Sequence, residues 1–135
     1  MIVDSSILIA FEKRRFYLER LLAEHPSPAI AAVTAAELLI GVERADTPER
    51  RARRESFVEN ILSRVPIVPF DLPQARLFAV RFAELAGRGE VIGDRDLQIA
   101  VTALHIDYEL ATLNVREFQR VTGLKLVDVS NYALS

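Results

Sequence analysis

Brief apolar segments alternate along this chain with longer stretches in which apolar residues recur every three or four positions. The brief segments cover residues 1–3, 29–33, 65–70, 110–112 and 124–129, short enough to be strands buried on both faces. The longer stretches predict helices over 6–11 and 16–24, from Thr34, from Pro48, and over 71–86, 94–106 and 114–121. Phe16, Leu18, Leu21 and Leu22 keep a rough helical period until His25-Pro26-Ser27-Pro28, where proline cannot continue the helix. Thr47-Pro48-Glu49 and Asp71-Leu72-Pro73-Gln74 read as helix starts, each with a capping side chain ahead of a first-turn proline. Gly87-Arg88-Gly89 closes the helix of 71–86, and the helix of 94–106 is apolar almost all round, which makes it central. Strands alternating with helices predict an α/β sandwich whose parallel sheet is covered on both faces.

Composition narrows the chemistry. The 135 residues suit one domain, expected over 1–135, with half the residues apolar and 27% charged, as in an ordinary folded protein. There is no cysteine, so disulfides, thiolate metal sites and cysteine nucleophiles are excluded. That composition suits a reducing compartment, and a cytoplasmic location is the expectation. No apolar run is long enough for a bilayer, and no basic leader precedes an apolar stretch at the start. The net charge of −2 gives no global attraction to nucleic acid. Lys13 and Lys125 are the only lysines among 17 basic residues; the rest are arginines, whose planar fork suits phosphate and carboxylate. A genome rich in arginine codons explains the same bias.

Parallel sheets gather active residues where strands end and helices begin. Asp4, Glu37, Asp96 and Asn114 all fall at such junctions. Each also fits a capping role. Thr34 with Glu37, and Asn114 with Glu117, are spaced as capping boxes; Asp94 suits an N-cap, Asp96 the positive end of a helix, and Asp4 the cap of the first helix. Capping does not require every acid to lie along one edge of one sheet. Three carboxylates meeting in one pocket repel unless a cation neutralises them. An oxygen-only set points to a hard ion, Mg²⁺ or Mn²⁺, which activates water and steadies phosphate oxygens.

Four blocks carry a resemblance: Ile2-Val3-Asp4-Ser5-Ser6, Thr34-Ala35-Ala36-Glu37-Leu38-Leu39-Ile40-Gly41, Ile92-Gly93-Asp94-Arg95-Asp96-Leu97-Gln98-Ile99-Ala100 and Ala111-Thr112-Leu113-Asn114-Val115-Arg116-Glu117-Phe118. In this order and spacing they resemble a PIN domain of the VapC type, from the toxins of bacterial toxin–antitoxin pairs. The resemblance implies a three-layer α/β sandwich. It also implies a Mg²⁺- or Mn²⁺-dependent endoribonuclease whose metal ligands and catalytic acids are Asp4, Glu37 and Asp96. Asp96 is preferred over Asp94 because the family's acid directly precedes the Leu-x-Ile-Ala run. Ser6 matches a hydroxyl that assists the first aspartate, and Thr112 a polar residue near the last ligand. Asn114 departs from the aspartate that many relatives carry, and Glu117 or Asp94 is placed to compensate. An RNA substrate, a VapB-type antitoxin covering the acidic pocket and a homodimer are further implications.

Other readings are weaker. His25 and His105 have no partners at zinc-ligand spacing, and read as a surface and a packed histidine. No phosphate loop ends in Gly-Lys-Ser/Thr. A receiver domain needs a lysine ending a late strand, whereas Lys125 begins one. A PIN-like fold acting as an inactive RNA-binding or scaffold module is the serious alternative. The cluster Arg50-Arg51-Ala52-Arg53-Arg54 fits either an RNA backbone track or a solvated face paired with Glu49, Glu55 and Glu59. Phe11, Phe16 and Tyr17 fit a partner groove or, by default, the core.

Overall fold

Successive strand residues send their side chains into different cores, and that alternation defines the layers. In the computed structural model, which describes residues 1–134, the strands are β1 (Ile2–Val3), β2 (Ile30–Ala31), β3 (Ile67–Val68) and β4 (Leu110–Ala111). Val3, Ile30 and Ala111 join one apolar cluster, while Ile2, Ala31 and Leu110 join the other. The period-two geometry of a strand makes this split inevitable once both faces are covered. The helices α1 (Ser5–Glu12), α2 (Leu18–Glu24), α3 (Ala32–Glu43) and α4 (Pro48–Arg64) supply the first cluster through Ile7, Leu21, Leu38 and Val58. The helices α5 (Leu72–Gly87), α6 (Asp94–His105) and α7 (Val115–Phe118) supply the second through Leu85, Leu97, Val101 and Phe118. The expected three-layer α/β sandwich is therefore the observed one.

All pairings among the named strands are parallel. Ile2 lies opposite Leu110 and Val3 opposite Ala111; Ile30 lies opposite Ile67 and Ala31 opposite Val68. A parallel bridge between Ile2 and Ala29 joins the two ladders, with the Val3 amide donating to the Ala29 carbonyl at 2.9 Å. The order is β3-β2-β1-β4, and Leu126 bridges to Leu110 beyond β4. The strand expected over 124–129 shrinks to that single bridge, because its neighbour β4 is two residues long and offers one rung.

Several helix boundaries correct the sequence expectation. Thr34 does not open α3; the helix starts at Ala32 directly out of β2, leaving Thr34 inside it and fully buried. Phe16 is not helical and instead bridges antiparallel to Ala133. Gly93, rather than Asp94, caps α6, and Asp94 is its exposed first residue. The helix expected over 114–121 is one turn, 115–118, closed before Gly123, which takes the left-handed φ of 85°. Two starts fall where expected. Thr47 Oγ1 accepts from the Arg50 amide at 3.1 Å, and the Asp71 amide donates to Gln74 Oε1 at 2.9 Å. Among the described residues no helix is long and apolar enough to cross a membrane.

Candidate functional site

The polypeptide enters the site where β1 runs out. The Asp4 amide still belongs to the sheet, donating to the Ala111 carbonyl at 2.9 Å, and Asp4 is the N-cap residue of α1. Its side chain does not cap. Instead, Oδ2 accepts from Ser6 Oγ and from Thr112 Oγ1, each at 2.7 Å, and the residue is only 3% exposed. Ser6 and Thr112 lie 3.3 Å apart and in turn accept from the amides of Leu113 and Asn114. The ends of β1 and β4 are thereby sewn together around one carboxylate.

Asp4 Oδ1 faces α3. Ser5 Oγ lies 3.5 Å from both Asp4 Oδ1 and Glu37 Oε2. A hydroxyl has one proton, so it can serve only one of these acids at a time. The early start of α3 puts Glu37 in its second turn, on the side turned toward β1, where Glu37 Oε1 is buried without any hydrogen-bond partner. Burial and the neighbouring Asp4 push the Glu37 carboxyl above its ordinary pKa, opposed by Arg95 and Ser5.

Asp96 sits in the first turn of α6, half-buried. Its pKa is pushed up to about 6 by burial, then by Asp4, by Glu117 and by Glu37. Asn114 Nδ2 bridges Asp96 Oδ2 at 3.3 Å and Glu117 Oε2 at 3.2 Å. The amide thus acts as a donor clamp between two acids, in place of a capping box. Five of the residues singled out by sequence converge: Asp4, Glu37, Asp96, Asn114 and Glu117, with Ser6 and Thr112 supporting the first. Asp94 stays exposed, and nothing ties it to the cluster. Ser5 and Arg95 were missed. The run Asp-Ser-Ser offered two hydroxyls, and only the structure reveals that Ser6 serves Asp4 alone while Ser5 lies between Asp4 and Glu37.

The pocket therefore has acids, hydroxyls and an amide, with Arg95 as the cation acting on Glu37. Among the described residues no three acidic or histidine side chains are closed up as a finished ion cage. Burial first, and the neighbouring carboxylates second, raise the pKa values of Glu37 and Asp96, with Arg95 opposing at Glu37. The donor set is all oxygen, and the orphaned Glu37 Oε1 is an acceptor with nothing to accept. Both features fit a hard divalent cation at Asp4, Glu37 and Asp96.

The remaining candidates lie elsewhere. His25 is half-buried after α2, whereas His105 is exposed at the end of α6, contrary to the packed position expected from that apolar helix. Phe16 packs on Tyr132 in the core, Phe11 on Phe57 at 6.0 Å, and Tyr17 is exposed beneath Arg20. The arginines of α4 pair with other partners than expected: Arg50 with Asp46 at 2.7 Å, Arg51 with Glu43 at 2.9 Å, and Arg54 with Glu12 at 3.7 Å.

Known proteins share this arrangement of chain. The profile of the PIN domain family matches residues 1–124. Ribonuclease VapC1 of Rickettsia felis is 33% identical over 131 residues, covering 97% of each chain. The crystal structure of VapBC2 from Rickettsia felis, bound to a DNA fragment from their promoter, superposes with a TM-score of 0.82 at 28% identity, covering 93% of this chain and 96% of that one. VapBC-5 from Mycobacterium tuberculosis, a member of the VapBC family of toxin-antitoxin systems, gives a TM-score of 0.75 at 28% identity over 93% of this chain and 97% of that one.

Proposed function

Since the chain belongs to the PIN domain family, we propose that it is an endoribonuclease dependent on Mg²⁺ or Mn²⁺, and the toxin of a pair completed by a VapB-type antitoxin. The observation that carries this reading is the buried acid cluster at the carboxyl edge of the sheet, with Glu37 Oε1 left without a partner. The ribonuclease name of the Rickettsia relative and the toxin–antitoxin complex from Mycobacterium support the substrate class and the partner. An ion held by Asp4, Glu37 and Asp96 would supply positive charge to the phosphodiester oxygens and lower the pKa of the attacking water.

The chain's own residues prepare that chemistry. Ser6 and Thr112 fix the Asp4 carboxylate so that it does not rotate away. Ser5 lends its proton to Asp4 or Glu37 while both are charged. Asn114 holds Asp96 and Glu117 together through its amide, and Glu117 provides the negative charge that Asn114 lacks.

Incubation of the purified protein with total cellular RNA tests the reading, with Mg²⁺ or with a chelator, followed by mapping of the new ends. Cleavage at defined sites with Mg²⁺, lost in chelator and in Asp4→Asn, is the expected result. RNA that is bound yet left intact under every metal condition would make the protein a binding module instead.

A further inference from the structure

A cavity of about 620 Å³ lies between the C-terminal end of α1 and the first three turns of α4, lined by Glu12, Lys13, Arg14, Arg50, Arg53, Arg54 and Phe57. A smaller one of about 160 Å³ shares four of these walls, Glu12, Lys13, Arg54 and Phe57, and reaches Glu37. Their shared walls set the basic cleft beside the pocket that Glu37 lines. We propose that this cleft holds the sugar-phosphate backbone of a single RNA strand beside the bond to be cut. The proposal rests on the nuclease reading for its geometry, since Glu37 of the acid cluster lines the adjoining pocket.

Charge supports it first. Five cations face one wall carboxylate in a chain whose net charge is −2, so the cleft is a local concentration and not a reflection of overall basicity. Arg50 is taken by Asp46, and Arg54 by Glu12 and the Gly41 carbonyl. Lys13, Arg14 and Arg53 are exposed and form no ion pair among the described residues.

Backbone conformation supports it independently. Helix α1 ends in a Schellman turn: the Arg15 amide donates to the Ala10 carbonyl at 2.8 Å and the Arg14 amide to Phe11 at 2.9 Å. That turn needs a left-handed residue, normally glycine, and here Arg14 takes it with φ 59°. A side chain with a Cβ is disfavoured in that conformation by about 1–2 kcal/mol. The sequence accepts that cost and places a guanidinium on the cleft wall. Phe57 adds a half-buried aromatic surface on the same wall, and cationic grooves with aromatic platforms are how proteins hold single strands.

The test uses the Asp4→Asn protein, so that RNA stays intact, and a labelled mixed-sequence RNA oligonucleotide at constant Mg²⁺. Binding is measured across a salt series, with and without the added changes Lys13→Gln, Arg14→Asn and Arg53→Gln. Asparagine at 14 keeps a residue that tolerates the left-handed turn. Each phosphate contact on a single strand contributes about 0.7 to the slope of log K against log salt, so the triple change is expected to lower the slope by about 2. Arg76→Gln on α5, exposed and away from the cleft, is expected to leave it unchanged. If the triple variant melts below its parent, Arg53→Gln alone should lower the slope by about 0.7. An unaltered slope overturns the proposal. Loss of binding to an oligoglutamate peptide, with the RNA slope intact, also overturns it, in favour of an acidic protein segment. Cleavage of RNA by the unmodified protein is scored separately. A chain that never cuts RNA but loses the slope on substitution keeps the cleft and drops the nuclease, and the converse result does the opposite.

Discussion

Charged residues meet in two ways in this molecule. On and beside α4, opposite charges pair in water: Arg50 with Asp46, whose side chains are 62% and 70% exposed, and Arg51 with Glu43. At the sheet edge, like charges gather partly out of water, Asp4 buried and Glu37 and Asp96 half-buried, and hydroxyls and an amide are their chief partners. The first arrangement relaxes to little net energy, because water would serve those charges nearly as well. In the second, burial first and the neighbouring carboxylates second raise the pKa values of Glu37 and Asp96. The contrast also disposes of capping as an explanation of the site. Neither Asp4 nor Asn114 makes a side-chain cap, and α3 begins ahead of Thr34, so Asp4 and Glu37 satisfy no helix end; Asp96, in the first turn of α6, is the acid that still meets one. Acids crowded together in this way are what the proposed divalent cation would require.

The contrast breaks most visibly at Asp4. Asp4→Asn is expected to lower metal-dependent RNA cleavage by roughly 100-fold or more, the scale on which one preorganised charge acts. Its thermal midpoint in chelator should stay level or rise, because a repelling charge has gone. Cleavage assays and calorimetry on the same preparation check both halves. A variant that cuts at the parent rate would remove Asp4 from the chemistry.

A smaller effect lies in the pH dependence of the metal-free protein. Asp96 has a folded pKa near 6, above its unfolded value, so its ionised form destabilises the fold. That destabilisation is complete above about pH 6 and fades as pH falls toward the ordinary carboxylate range; Glu37 acts in the same direction. The melting temperature in chelator is therefore expected to rise on acidification from pH 7 to pH 5, by roughly 2–4 °C, discounted for the half-exposure of Asp96. Glu43 and Asp128, lowered by Arg51 and by Ser130, remove stability only below that window. Asp96→Asn should flatten the rise, and saturating Mn²⁺ should abolish it.

Asn114 sharpens the comparison further. Asn114→Asp replaces a donor shared by Asp96 and Glu117 with a third repelling carboxylate. In chelator the variant should unfold more readily, by about 1 kcal/mol, and it should bind Mn²⁺ more tightly than the parent in a calorimetric titration. Weaker binding would mean that the amide itself serves the ion. The smallest effect belongs to α4. Asp46→Ala should change stability by less than about 0.5 kcal/mol, and that remainder should vanish in high salt.

The residue pattern made the layers and the edge legible, because burial on two faces leaves continuous apolar runs and helix starts leave capping side chains. Thr47 and Asp71 cap where their spacing says they should. Boundaries set by tertiary packing were not legible. Thr34 has the chemistry of an N-cap, but the core takes it in and the helix starts two residues earlier. The shared edge of Asp4, Glu37, Asp96 and Asn114 could be argued from topology. The direction of each bond could not: that Glu117 and not Asp94 joins the cluster, or that Ser5 reaches Glu37 as well as Asp4 while Ser6 reaches Asp4 alone, depends on side-chain rotation. The arginines of α4 found Asp46 and Glu43, outside the helix, where helical spacing had pointed to Glu49, Glu55 and Glu59.

The hydrogen bond from Thr112 to Asp4 joins residues 108 positions apart. A ribosome adding roughly 5–20 residues per second needs on the order of 5–20 s to make that stretch. Throughout that interval the emerging chain carries Asp4, and for most of it Ser6 and Glu37, but has nothing to tie the first strand's end to the fourth. Assembly of the acid cluster is thus among the last events of biosynthesis, and a chain broken off before Thr112 lacks the hydroxyl that ties Asp4 to the fourth strand.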